Sequence, residues 1–298
     1  MLTAVLLALG AACAFAVSTV VQHRTATATA VTDGGRWLVR LARRPLWLAA
    51  QAAGGIGVAL HAAALRSGPV ALVQPLLAAG LVAALALGAW ADRSHGRLDP
   101  RQWRAALAVV VGLAGFLLAA RPSAGVATAP GAGIAAVAGG AVLVGGGAAL
   151  WTRPPGRPHR ALVRGVAAGV CFGVTGLLLK QLLGVPLPSW SAAGTAAELA
   201  AVAVAGIALS QAAFAAGPLV ASLPVTTVLE PAIGVLLAGP LFGESLLTGT
   251  GPRLGQLAGA VLLGAGLVAL SRRAAVATEH AEVAAFERRS AHPAMAAS

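Results

Sequence analysis

Nine apolar stretches run along this chain, near residues 1–21, 46–65, 69–91, 103–120, 131–151, 161–183, 195–216, 218–243 and 254–271. Each is about the twenty residues that a helix needs to cross the hydrocarbon core of a bilayer. A backbone in lipid has to satisfy its own N–H and C=O groups, and a helix does so within one segment. The composition agrees. The 298 residues are 58% hydrophobic and 10% charged, with a mean hydropathy of +0.84. A soluble domain carries roughly a quarter charged residues. The expected fold class is an all-α polytopic membrane protein of about nine transmembrane helices.

The net charge of +12 resembles that of a nucleic-acid binder. Its distribution gives a different reading. Seventeen arginines fall in the first, third and fifth loops and the C-terminal tail, whereas Arg66, Arg121 and Arg253 are the three in the other loops. Basic residues collect in cytoplasmic loops. The split predicts the plasma membrane, the N-terminus outside and the C-terminus cytoplasmic, with lipid as the partner and no nucleic acid. Cys13 and Cys171 sit in apolar runs and form no disulfide framework or zinc motif. The first span lacks the positive start of a signal peptide, so it is expected to stay on the chain.

A repeat is visible inside the chain. Ala59 to Pro69 aligns without a gap with Ala208 to Pro218, and Pro75 and Pro224 follow at the same interval. Phe15-Ala16-Val17-Ser18 matches Phe172-Gly173-Val174-Thr175 more briefly. The domains expected are a first repeat over 1–121 (helices 1–4), a linking helix 5 over 131–151, a second repeat over 161–271 (helices 6–9) and a tail over 272–298. An offset of five helices inverts the second copy. Inverted repeats are the architecture of alternating-access transporters, with the binding site near the midplane. Gly68-Pro69 and Gly217-Pro218 then mark hairpins on opposite faces. Glycine closes one helix there and proline opens the next. They are candidate gates, or tight turns and nothing more.

At these residues the chain resembles the drug/metabolite transporter superfamily. Within it, the likeness is to the nine-helix NIPA-type magnesium transporters. Gly68 to Leu76 is similar to that family's helix-3 pattern, and Cys171 to Lys180 to its helix 6 with a closing lysine. Gln211 resembles its helix-7 glutamine. Pro231 through Leu241-Phe242-Gly243-Glu244 is similar to the ending of the wider EamA-type transporters. Asp92 stands where the family carries a glutamate, and Gln22-His23-Arg24 where it carries a lysine pair. The resemblance implies a DMT-like transporter, with magnesium as its branch's substrate.

Ionisable residues within a membrane span are costly and mark function by default. Glu230 lies about midway along helix 8 and is followed by Pro231, which leaves a backbone carbonyl one turn earlier without its usual donor. A carboxylate beside such carbonyls can bind a cation, magnesium included, or exchange a proton. Pro224, Pro231 and Pro240 predict a kinked helix 8. Lys180, the only lysine, either snorkels to the interface or serves as counter-ion for Glu230 or an anionic group. His61 titrates near neutrality and is either a proton relay or an interfacial histidine. Gln74, beside Pro75, and Gln211 offer hydrogen bonds to a solute or to neighbouring helices. Glu244 and Asp92 are expected at helix ends, at the interface.

Three function classes compete. A transporter moving a small polar solute or cation by alternating access leads, with magnesium the special case. A scaffold or sensor would tolerate Glu230→Ala. An enzyme is not expected, because no nucleophile–base or metal-ligand cluster is visible. No cofactor is expected beyond transient magnesium or a proton. Small residues on many helix faces permit a homodimer without demanding one.

Overall fold

The computed structural model describes residues 1–30, 43–80, 82–83, 87, 100–152, 160–216 and 219–269, with no account of the side chains at 23–24, 26–30, 102, 214–216 and 219–224. Among these residues the protein is all-helical. The helices are α1 (Leu2–Ala30), α2 (Pro45–Ser67), α3 (Val70–Leu77), α4 (Pro100–Ala120), α5 (Gly131–Trp151), α6 (Arg160–Gly184), α7 (Trp190–Ala216), α8 (Leu219–Phe242) and α9 (Thr250–Ala269). All but α3 are long and apolar enough to cross a membrane. The expected helix 3 extended to residue 91, and most of that extension lies outside the described residues. So do Asp92, Gly217, Pro218 and the tail. α1 runs nine residues beyond its expected end, through the Thr-Ala run at 25–30. α8 is one helix through all three of its prolines.

Large apolar side chains such as Leu2, Leu118, Leu143, Trp190 and Leu236 are exposed, whereas alanine and glycine fill the interior. That pattern is inside out for water and right for lipid. Lipid tails are as apolar as leucine, so helices associate through close backbone approach and interhelical hydrogen bonds. This is a polytopic helical membrane protein.

Glycines set the closest approaches. Phe15 of α1 lies over Gly57 of α2, where a Cβ would meet the ring at 2.7 Å. Phe172 of α6 lies over Gly206 of α7, where a Cβ would meet the ring at 2.9 Å. Gly80, just past α3, abuts the Ala12 carbonyl of α1, and Gly169 of α6 abuts Leu229 and Thr226 of α8. In the sequence alignment Phe15 pairs with Phe172, Gly57 with Gly206, Ala12 with Gly169 and Gly80 with Leu229. The same two contacts therefore occur twice in the molecule.

α4 and α9 run antiparallel with their backbones in close contact. A Cβ on Gly112 would overlap the Leu263 nitrogen, and one on Gly259 would overlap the Phe116 nitrogen. Ala105, Ala106, Val109 and Leu267 close a small core there against Ala78. The main core lies where α6 meets α3 and α8, around Leu177, Leu178, Val73 and Phe242.

Contacts at one end of the molecule bring together the starts of α1, α3 and α5, the ends of α2, α4, α6 and α8, and the approach to α9. Gly68 abuts Ala4, and the Leu247 N–H donates to the Ala120 carbonyl at 2.6 Å. Ala129 is clamped by the Gln181 amide, which accepts from its N–H at 2.7 Å and donates to its carbonyl at 3.3 Å. We call this the N-terminal end. At the opposite end Arg164 donates to the Thr152 hydroxyl, the Thr152 carbonyl and the Ala212 carbonyl, joining α5, α6 and α7.

Gly112→Ala forces the Cβ against α9 backbone, which cannot move aside as a side chain can. It is expected to cost about 1–3 kcal/mol. Gly139→Ala, on an open face of α5 where nothing lies within 4 Å, serves as the neutral comparison. Thermal unfolding in detergent measures both.

Candidate functional site

Four helices converge on Gln74. It lies one turn into α3, is fully buried, and leaves no room for a Cβ on either flanking glycine. A Cβ on Gly234 of α8 would lie 2.6 Å from Gln74 Cγ, and one on Gly176 of α6 would overlap Gln74 Nε2. The imidazole of His61, from α2, approaches the same glycine, its Cε1 lying 3.6 Å from a Cβ there. The Phe15 ring holds it edge-on, with centroids 6.4 Å apart and planes at 84°.

Among the described residues, three polar atoms of this cluster have no partners. Gln74 Nε2, Gln74 Oε1 and His61 Nε2 are buried without a hydrogen bond. An unmet amide or imidazole nitrogen away from water costs on the order of 1–3 kcal/mol. Three such atoms at one spot form a site with unused hydrogen-bonding capacity. His61 is therefore interior to the helix bundle.

Glu230 lies eleven residues past Leu219, about 17 Å along α8 and near its middle. It shares a helical face with Thr226 and Gly234, and Gly234 stands one turn away, about 6 Å along the axis. The backbone at Glu230 packs on Gly173 of α6, whose Cβ would sit 2.7 Å from the Glu230 carbonyl. The residue is half-buried. Among the described residues its carboxylate has no hydrogen bond and no ion pair. Pro231 follows it within the continuous helix, and Pro75 follows Gln74 inside α3.

Lys180 does not pair with Glu230, and it does not snorkel. It is buried, and its Nζ donates to Glu244 Oε1 at 2.5 Å while lying 4.4 Å from the centroid of the Phe242 ring. Glu244, which follows the end of α8 as expected, is also buried. Its carboxylate caps α3, accepting from the Val70 N–H through Oε1 at 2.7 Å and from the Ala71 N–H through Oε2 at 2.8 Å. A negative group at a helix N-terminus meets both unpaired N–H groups and the positive end of the helix dipole. Gly243 makes this possible: at φ 64 it reverses the chain as α8 ends, and its N–H donates to the Gly239 carbonyl at 2.8 Å. The sequence signal for Glu244 was the Gly243-Glu244 step itself, read there only as a helix ending.

The hairpin at Gly68-Pro69 works differently from expectation. Gly68 is extended, at φ −164 and ψ 169, a conformation open to any residue. Glycine is needed because a Cβ would lie 2.8 Å from that of Ala4. Pro69 precedes α3 as its N-cap, leaving Val70 and Ala71 to offer their N–H groups to Glu244.

Gln211 is buried toward the opposite end. Its Nε2 donates to Gln22 Oε1 at 3.4 Å, and its Oε1 is unpartnered. Gln22 in turn donates to the Ser18 hydroxyl, which donates to the Ala50 carbonyl, both at 2.7 Å. Of Pro224, only its place within α8 is described. The grooves on the outer faces of α5–α6 and α5–α7 are apolar and touch neither Gln74 nor Glu230. Among the described residues no three His, Cys, Asp or Glu side chains gather as metal ligands.

No family model matches this chain, and no solved structure matches it. It is similar to an uncharacterized protein of Corynebacterium glutamicum, with 29% identity over 254 residues that span 82% of this chain and 86% of the relative.

The Lys180–Glu244 pair is expected to show strong energetic coupling. Lys180→Met strands a buried carboxylate, and Glu244→Gln strands a buried ammonium, each a loss of about 3–5 kcal/mol. The double variant strands neither. Its destabilisation in detergent unfolding should fall short of the sum of the singles by roughly 1–3 kcal/mol; strict additivity would mean that the pair carries no coupling.

Proposed function

We propose that this protein is a transporter of a small polar solute or cation that works by alternating access, with Glu230 and the Gln74–His61 cluster on its path. The observation that carries this reading is the Glu230 carboxylate, unpartnered among the described residues halfway along an apolar helix and one turn from Gly234, on which Gln74 packs with its own polar atoms unpartnered. A scaffold gains nothing from such groups, because each is destabilising until something binds there.

The twofold recurrence of the helix contacts supports an inverted repeat of α1–α4 and α6–α9 about α5. Phe15 on Gly57 and Phe172 on Gly206 are equivalent contacts in copies that cross in opposite directions. The antiparallel α4–α9 contact fits the same two-fold relation, each helix being the last of its copy. This architecture supports the resemblance to the drug/metabolite transporter superfamily. The arginine distribution supports a plasma-membrane orientation with the N-terminus outside.

Magnesium, the substrate of the NIPA-type branch, is the second reading. One carboxylate, the Gln74 carbonyl oxygen and helix carbonyls make a thin ligand set. Magnesium usually keeps several of its waters and takes only one or two protein carboxylates. The site therefore suits a hydrated ion in transit better than a stripped one.

The deciding experiment is magnesium entry into proteoliposomes with a trapped magnesium dye, wild type against Glu230→Gln. If magnesium is the substrate, the wild type takes it up and the variant loses at least about tenfold of the rate, a difference of about 1.4 kcal/mol in the barrier. No uptake by folded wild-type protein removes the magnesium reading. The assay then turns to proton release on addition of small polar solutes, again compared with Glu230→Gln.

A further inference from the structure

We propose that Glu244, held by Lys180, is a latch that closes the N-terminal end of the path, and that this end opens when the carboxylate leaves both the ammonium and the first turn of α3. The inference rests on the two-halved transporter reading above but concerns residues which that reading does not use.

The contact joins the two halves of the chain. Glu244 follows α8, Lys180 belongs to α6, and the N–H groups of Val70 and Ala71 belong to α3. A single carboxylate thus ties the α2–α3 hairpin to the second half. Gln74 sits one turn below Val70 and Ala71 on the same helix. The knot lies directly over the buried cluster, and the Phe242 ring beneath the ammonium adds an apolar floor. Any route from the N-terminal end to Gln74 along α3 passes this point.

The partners are balanced so that they separate together. The ammonium gives one hydrogen bond and a ring contact, and the carboxylate accepts three N–H groups in all. Losing the carboxylate bares two α3 donors and one cation at once. In apolar surroundings that is costly, but in a water-filled mouth it is cheap. The latch therefore favours two discrete states, sealed and dry or open and wet. Gly243, at positive φ, provides the pivot between α8 and the carboxylate. The opposite end is tied less tightly among the described residues. There the halves meet through the apolar packing of α4 on α9 and the neutral Gln22–Gln211 contact at 3.4 Å, with no ion pair among the described residues.

The test reads access, not transport. In a Cys13→Ser, Cys171→Ala background, Gln74→Cys reports whether a charged, membrane-impermeant methanethiosulfonate reaches the cluster. The reagent is applied separately to each face of reconstituted vesicles, and a tag at the N-terminus identifies the face. With the latch intact, labelling from the N-terminal face is slow. Glu244→Gln should speed it by about tenfold or more. Lys180→Met, which leaves the cap on α3, should give a smaller increase and serves if Glu244→Gln does not fold. The exchange Lys180→Glu with Glu244→Lys restores opposite charges, but a lysine cannot accept from Val70 and Ala71. It should stay fast. A return to slow labelling would overturn the role given to the cap. Unchanged labelling in both single variants, or an increase from the opposite face alone, would overturn the latch. Labelling that responds in protein that transports nothing would instead leave the latch standing and remove the transporter reading.

Discussion

The carboxylate of Glu244 sits where three helices have to agree. In a bilayer a helix end cannot be buried with its N–H groups bare, because no water is present to meet them. α3 starts inside the protein, beside α6 and α8, so something has to cap it there. A neutral cap would satisfy one or two donors. A carboxylate satisfies both and also takes up the Lys180 ammonium, a group that could not stay buried alone. Removing the carboxylate leaves the ammonium and both α3 donors unpaired, whereas removing the ammonium leaves a buried carboxylate with its α3 partners alone; each costs several kcal/mol. The depth at which α3 enters, and hence the position of Gln74 between Gly176 and Gly234, follows from this junction.

Elsewhere the bundle is held by shape. With few aromatics and no hydrophobic drive between helices in lipid, stability comes from backbones brought close at small residues. The glycines opposite Phe15 and Phe172 are sockets for rings, and those of α4 and α9 let two backbones touch. Sockets of this kind allow helices to slide and rock where side-chain interdigitation would lock them. The rigid tie at the N-terminal end stands out against that background.

The fold was legible because hydropathy is a local property. Eight of the nine expected spans coincide with helices long and apolar enough to cross a membrane, each found from its own residues, and the Gly-Pro spacing suggested the repeat. Helix ends were less legible: α1 continues through 25–30 because threonine and alanine can prolong a helix past the apolar core. The site was legible in part. Glu230, Gln74 and His61 stood out as polar groups in apolar runs, a signal that needs no tertiary knowledge. The partner of Lys180 was not, since 64 residues separate it from Glu244 and nothing in either segment names the other. Glu244 read only as a helix end at the interface, because its burial depends on α3 folding over it. Gly68 misled in a different way. Its glycine is required by Ala4, a neighbour from another helix, and not by its own backbone angles.

The two glutamates of α8 and its exit define opposite uses of the same group. Glu244 accepts three hydrogen bonds from fixed partners, so it has little left to offer a solute. Glu230, about four turns earlier on the same stretch of chain, has no partner among the described residues. Had Lys180 reached Glu230 instead, the central carboxylate would have been neutralised permanently and the middle of the bundle would have had no group to exchange. Because the chain's only lysine is committed to Glu244, the carboxylate halfway along α8 stays uncompensated among the described residues. In a low-dielectric interior an uncompensated carboxylate has two stable conditions, protonated or paired with a cation brought from outside. Under the transporter reading proposed above, the placement of Lys180 is what leaves Glu230 able to alternate between them.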